Sequence, residues 1–444
     1  MTDSAMRAPA TGVIDRAGLA RIADGLAAAT AASLPWSTTA TAILVVAWLL
    51  ALLPTLDMAM LRREIMTAAG GTPLILIGLA VLGMLWAEAS LRERLGGVDG
   101  YVKLLCIPLL LAQFRRSPNG WWVVISFFAS SLALMLLSWG MALLPGLPWR
   151  GKFVGVPVKD YIIQSGIFTL CGFGALGCAA AAWPGRRHIA LMLIGAAAGF
   201  FANVGYVETG RTTLATIAVL VPLFGLRNFG WKGLVAASVI GGVLAGVVWT
   251  TSPYLRYRVT QVSEEVARYQ AQNEPTSTGL RLDFWRSSVE SVARAPIMGH
   301  GTGSIPSELR STISPETGLA SMGTVNPHNE ILVVAVQLGA IGAIALFALW
   351  ISHLLLFRGD GAIAWIGLVA VVENIVGSLA NSHLSDFTQG WIYVFAVGTL
   401  GGMVLRQRPA PATADGSLPE RPEAYSGDTC TALTIRPTGR PQFR

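Results

Sequence analysis

The sequence predicts an all-α polytopic membrane protein with about twelve transmembrane helices, eleven of them clear, and one large helical loop on the outer side. Three observations predict it. The chain has 444 residues, 53% of them hydrophobic and only 13% charged, against roughly 25% charged in a soluble domain. Apolar stretches of about 20 residues, long enough to satisfy every backbone polar group inside a bilayer, recur along it. Lys and Arg collect in alternate short loops, which separates two faces. A soluble enzyme is excluded by this composition, and the net charge of +7 reflects loop sorting rather than a nucleic-acid partner.

Residues 1–36 have no short apolar core followed by a small-residue cleavage site, so they read as retained rather than as a signal peptide. Within them, about 13 to 34 is Ala-rich. It forms a weak first span or, because of Arg16, Arg21 and Asp24, a helix lying in the interface. Clear spans are expected over 39–57, 72–90, 99–114, 120–146, 160–183, 188–206, 211–226, 231–250, 330–356, 362–380 and 388–405. Arg62, Arg63, Arg115, Arg116, Arg186, Arg187, Arg227, Lys232, Arg358, Arg406 and Arg408 then share one side, which the distribution makes cytoplasmic. Eleven spans would leave the N-terminus outside, and a twelfth restores it.

The domains follow from this count. Residues 37–250 and 329–405 hold transmembrane helices, and 406–444, rich in Pro, Gly, Ser and Thr, reads as a disordered cytoplasmic tail. Residues 251–328 form the outer loop domain, where seven arginines balance seven carboxylates. Two helical patterns lie in it, LRYRVTQVSEEVARYQAQ and GLRLDFWRSSVESVARAP. In the second, Leu280, Phe284, Val289 and Val292 share a face and Pro296 stops the run. An ordered cap over the membrane is expected.

Several residues at the outer face can carry chemistry. Arg211, in Glu208-Thr-Gly-Arg-Thr-Thr, either snorkels to the headgroups or binds an anion. Arg281 lies on the outer helix with Trp285 one turn on, where an arginine serves solubility as readily as binding. Asn326-Pro-His328-Asn329-Glu330 opens the span that follows. It is a plain helix cap or, because histidine suits proton transfer near neutral pH, a site for a base. Gly299-His-Gly-Thr-Gly303 is a tight turn or a phosphate-lining segment. Glu373 with Asn374, inside a span, is a helix-packing hydrogen bond or a functional carboxylate. Glu208, Glu316, His383 and Asp386 also lie where they can share or orient a base.

Outside the membrane there is no HExxH, no DxD-type cluster and no Gly-x-Ser-x-Gly elbow, so metal hydrolysis and acyl-enzyme chemistry lose support. Cys106, Cys171 and Cys178 sit in apolar runs and Cys430 in the tail, with no CxxC pair. Phosphate charge would have to be met by arginine, whose fork can hold a diphosphate bidentately and stabilise it as a leaving group.

An outer-mouth arginine (Arg211), then R-x-x-x-W (Arg281, Trp285), P-x-x-G-x-G-x-G (Pro296, Gly299, Gly301, Gly303) and N-P-H-N-E (Asn326 to Glu330) together resemble the O-antigen ligase family. That family is related to O-antigen polymerases and bacterial O-oligosaccharyltransferases. The resemblance covers about residues 35–405, with its specific motifs between 205 and 335. It implies a GT-C-like glycosyltransferase of lipopolysaccharide biosynthesis in the bacterial inner membrane, inverting and metal-independent, with its active site facing the periplasm. It implies no cofactor. The donor would be an undecaprenyl-diphosphate-linked glycan and the acceptor the lipid A core. Arg211 and Arg281 would grip the diphosphate, His328 would be the general base, and Trp285, Asn326 and Asn329 would contact substrate.

Two other enzymes share this plan, a polymerase joining two lipid-linked glycans and a protein O-oligosaccharyltransferase. A lipid-linked glycan transporter is the reading from another class. No internal repeat appears in the sequence, and the candidate residues collect at one face rather than at the midplane, which argues against alternating access.

Overall fold

The computed structural model describes residues 15–408 apart from 145, 147–148, 150, 152, 273–275 and 313–325. Glu316 and the tail beyond 408 lie outside the described residues. Those described are almost wholly helical, with a single isolated bridge between Phe153 and Val156. In order the helices are α1 (Arg16–Ser33), α2 (Thr38–Leu52), α3 (Met58–Ile65), α4 (Ala68–Gly83), α5 (Leu91–Val102), α6 (Cys106–Arg116), α7 (Gly120–Leu143) and α8 (Tyr161–Ala182). They continue with α9 (Arg187–Tyr206), α10 (Arg211–Thr251), α11 (Pro253–Gln272), α12 (Ser277–Arg294), α13 (Ile305–Thr312), α14 (Glu330–Leu356), α15 (Ala362–Ser378) and α16 (Phe387–Gln407).

By length and composition, eight helical segments among the described residues can cross a membrane, or nine if α3 and α4, bent by 82°, count as one span. This multi-pass all-α architecture agrees with the sequence, and the number falls below about twelve partly because two of the expected spans are the two limbs of one helix. The difference has physical causes. The stretches 211–226 and 231–250 run together as α10, which reverses at Gly230 (φ 65°). A Cβ on Gly225 would lie 2.2 Å from the Gly233 carbonyl oxygen, and one on Gly241 would lie 2.8 Å from Val221. The two limbs of α10 are therefore a tight antiparallel hairpin. At 17 residues, α15 is short for a span.

The weak first span also differs from expectation, since α1 is not among the eight. One face of α1, with Ala23, Ala27, Ala28 and Ala31, is buried. So is Asp24, which accepts hydrogen bonds from Gln113 Nε2 (2.8 Å), Ser117 Oγ (2.6 Å) and Asn119 Nδ2 (2.9 Å). A charge so deep is tolerated only with its acceptor sites filled.

Elsewhere small residues let helices approach, as expected where lipid supplies no hydrophobic drive between them. Cβ atoms added at Gly398 and Gly402 of α16 would strike Leu110 and Phe114 of α6. The large apolar side chains left exposed on α10, among them Val239, Ile240, Val243 and Leu244, suit acyl chains. At one face the basic loops are pinned to the bundle, with Arg115 on Glu64 at 2.9 Å and Arg116 on the Thr55 carbonyl at 3.0 Å. Helices α11, α12 and α13 lie between the end of α10 and the start of α14, at the other face.

The glycine run after α12 locks this cap onto the bundle. Helix α14 breaks at Gly339 (φ 60°), which frees carbonyls of its preceding turn. The amides of His300 and Gly301 donate to the Val336 and Gln337 carbonyls, and that of Gly303 donates to Gln337 Oε1 at 2.7 Å. Thr302 donates through its amide to the Gly83 carbonyl. Gly299, Gly301 and Gly303 all have positive φ, and a Cβ on Gly301 would lie 2.4 Å from Ala87 Cα. The segment is thus a wedge in the break of α14, and its amides are not available to a phosphate.

Candidate active site

A polar cavity of about 190 Å³ opens where the starts of α8 and α10 meet the cap. Three arginines line it, Arg211, Arg258 and Arg281, together with Glu265, Tyr161 and Asn381. Arg211 is the first residue of α10, where the helix dipole disfavours a cation. Its partner is Glu265 of α11, which takes Nη2 at 3.1 Å and Nη1 at 3.3 Å, while Thr278 Oγ1 accepts from Nη1 at 3.0 Å. Glu265 is nearly buried and also accepts from the Thr278 amide at 3.1 Å. Burial alone would raise its pKa, but the hydrogen bonds from Arg211 and Thr278 bring it below the usual carboxylate value.

Arg281, on α12, has one long hydrogen bond, Nη2 to Asn381 Oδ1 at 3.4 Å. Burial and the nearby charge of Arg211 lower its pKa. Its guanidinium is therefore a desolvated donor group with little to donate to, beside another cation. Arg258, on α11, lies with its guanidinium carbon 4.6 Å from the centroid of the Tyr161 ring and donates to Gln261 Oε1 at 3.3 Å.

His328 is not among the residues lining this cavity, but it is close enough to Arg281 for that charge to act on it. Burial, and then Arg281, lower its pKa, which favours the neutral imidazole. Its backbone is left-handed (φ 50°), an uncommon conformation outside glycine that tends to mark constrained functional positions. Neighbouring groups hold it there. Asn326 Oδ1 accepts from the His328 amide (2.8 Å) and from Ser382 Oγ (3.0 Å). Trp285 Nε1 donates to the Pro327 carbonyl at 2.8 Å. Asn329 caps α14 by accepting from the amides of Ile331 and Leu332 and donates to the Leu379 carbonyl. The polar atoms of Trp285, Asn326 and Asn329 thus organise the His328 loop.

Glu330 is fully buried and is held by Tyr101 Oη at 2.9 Å and by Ser385, a tie between helices. Glu208 is taken by Tyr254 Oη at 2.9 Å, and burial raises its pKa. His383 is buried with Nδ1 3.6 Å from Glu373, and burial pushes its pKa down to about 4.

The sequence motifs thus converge on one face, with Arg211 and Arg281 in one cavity and the His328 loop beside it. Arg258, Glu265, Tyr161 and Asn381 were not anticipated. A signal for two of them existed, because Tyr254, Arg258, Gln261 and Glu265 recur at helical spacing on a single face of α11.

The fold is that of a polytopic membrane protein, with an arginine-lined cavity under a helical cap at one face. Residues 196–347 match the model of the O-antigen ligase family. The match runs from α9 to α14 and contains all three cavity arginines and His328. The chain is also 24% identical over 193 residues to an uncharacterized protein of Haemophilus influenzae. That alignment covers 40% of this chain and 48% of the relative, so the chain spans about half the length of the curated relative it matches.

Proposed function

We propose that the protein is a glycosyltransferase of lipopolysaccharide biosynthesis, an O-antigen ligase. It moves a glycan from undecaprenyl diphosphate to the lipid A core at the periplasmic face of the bacterial inner membrane. The family match and the multi-pass fold support the coarse reading. The single observation that carries the finer one is the juxtaposition of an arginine-lined cavity with a constrained histidine whose neutral form is favoured.

In this reading Arg211 and Arg281 meet the donor diphosphate. The acceptor hydroxyl attacks the anomeric carbon from the side opposite the diphosphate, and His328 takes the hydroxyl proton as the new C–O bond forms. The bond to the diphosphate breaks, and undecaprenyl diphosphate leaves with its charge held by the guanidinium groups. One displacement at that carbon inverts its configuration. Arginine supplies the charge stabilisation for which other transferases use a divalent ion, so the reaction is proposed to be metal-independent. Trp285, Asn326 and Asn329 fix the loop that aims His328.

The test is reconstitution of the purified protein with undecaprenyl-diphosphate glycan and lipid A core in the presence of a chelator, following both lipids on a gel. Glycan should appear on the lipid A core with wild type and not with His328→Ala. Longer undecaprenyl-linked glycans with an untouched acceptor would replace this reading with a polymerase. Transfer that survives His328→Ala would remove the base assignment.

A further inference from the structure

We infer that Arg258, which no sequence motif marks, is a third phosphate-binding arginine and completes the charge of the donor site. The inference rests on the proposed diphosphate donor and goes beyond the two arginines of that reading.

The first argument is charge. A diphosphate esterified at both ends carries two negative charges at neutral pH. Arg211 is engaged at both terminal nitrogens by Glu265 and Thr278, so its charge is largely compensated before any ligand arrives. Arg281 then provides one free cation, which leaves a diphosphate half neutralised in a partly buried cavity. Arg258 lines the same cavity and restores the balance.

The second argument is pre-organisation. Tyr161 stacks on the Arg258 guanidinium at 4.6 Å, and Gln261, one turn along α11, accepts at 3.3 Å. Both contacts leave the charge of Arg258 uncompensated, unlike the carboxylate on Arg211. The Glu208 carboxylate accepts from Tyr254 Oη and acts on Arg258 electrostatically without forming an ion pair with it. The Nε atoms of both Arg258 and Arg211 are buried without a hydrogen-bond partner, an arrangement that costs free energy unless a ligand supplies acceptors. Stacking fixes the plane of a guanidinium while leaving its edge free, which is the geometry a bidentate phosphate contact needs.

The full-length protein in detergent is tested with radiolabelled undecaprenyl diphosphate and undecaprenyl monophosphate as probes, comparing wild type with Arg258→Ala, Arg258→Gln and Arg281→Ala. Arg258→Ala should weaken diphosphate binding by roughly 10- to 100-fold, the range for losing charge-assisted hydrogen bonds. It should lower monophosphate affinity by less, so the preference for two phosphates over one narrows. Arg258→Gln keeps the polar stem without the charge and should behave in the same way, with an unfolding midpoint close to wild type. Normal diphosphate affinity in a folded Arg258→Ala or Arg258→Gln protein, with loss in Arg281→Ala, overturns the role of Arg258 and leaves the donor site standing. Normal affinity in all three variants overturns the donor site as well.

Discussion

Glu265→Gln removes the only carboxylate lining the cavity among the described residues and should move stability and anion affinity in opposite directions. In the native protein Glu265 accepts from both terminal nitrogens of Arg211 and from the Thr278 amide. The two side chains are 24% and 7% exposed, so the pair is only weakly screened. The amide keeps one acceptor but turns donors toward a cation, so the contact between α10 and α11 should weaken by about 1–3 kcal/mol. A phosphate on the far side of the Arg211 guanidinium would lie about 7 Å from the carboxylate, where an effective dielectric constant of about 20 gives about 2 kcal/mol of repulsion per unit charge. Removing that repulsion should tighten diphosphate binding by roughly 30-fold at low salt, with the gain shrinking as salt is raised. Thermal unfolding in detergent and titration with undecaprenyl diphosphate measure the two effects on the same sample. A folded Glu265→Gln protein with unchanged or weaker affinity at low salt would refute the view that Glu265 offsets the charge of this cavity.

Three further outcomes follow from the geometry. Burial and Arg281 depress the pKa of His328, so the base proposed for the transfer keeps its neutral form to lower pH than a free histidine. The transfer rate should therefore fall only as pH drops through a value below the usual histidine pKa of about 6.5, as a pH–rate profile would show, and Lys substituted for Arg281 should leave that acid limb low. Gly301→Ala places a Cβ at φ 87° and 2.4 Å from Ala87 Cα, so it should lose about 2 to 5 kcal/mol from backbone strain and overpacking together. A variant that unfolds with the wild-type midpoint would contradict the wedge. Asp24→Ala strands the buried Gln113 amide and removes the acceptor of the half-buried Ser117 and Asn119, and should cost on the order of 1–3 kcal/mol, read as a lower unfolding midpoint.

The helices were legible because their signal is local. Apolar stretches of span length mark themselves, and the Asn326–Glu330 turn announces the start of α14, which Asn329 caps. Span number was less legible because it depends on what a segment packs against. α1 carries charge, and its Asp24 becomes tolerable only when α6 and the following turn bring donors to it. The reversal at Gly230 was legible, because separate apolar stretches over 211–226 and 231–250 flank it, and the Gly225 and Gly233 backbones meet across it. The glycine run shows the same limit as α1. Its spacing allowed a phosphate cradle or a turn, and the choice was made by carbonyls that the break at Gly339 exposes in a different helix.

The candidate site was half legible for a related reason. Arg211 and His328 stand out because each occupies a position where its residue type is costly or unusual, a cation at a helix N-terminus and an imidazole at a cap, whereas Arg281 was marked only by the R-x-x-x-W resemblance. Arg258 and Glu265 sit on an amphipathic helix where charged residues are ordinary, and only the partner surface reveals which stripe of α11 faces the cavity. That stripe alternates its functions. Tyr254 holds Glu208, Arg258 stacks on Tyr161, Gln261 orients Arg258, and Glu265 takes Arg211. Helix α11 therefore supplies two of the four charged side chains of a cavity whose other walls come from α8, α10, α12 and Asn381. A displacement of α11 would separate Glu265 from Arg211 and so change the charge balance of that cavity.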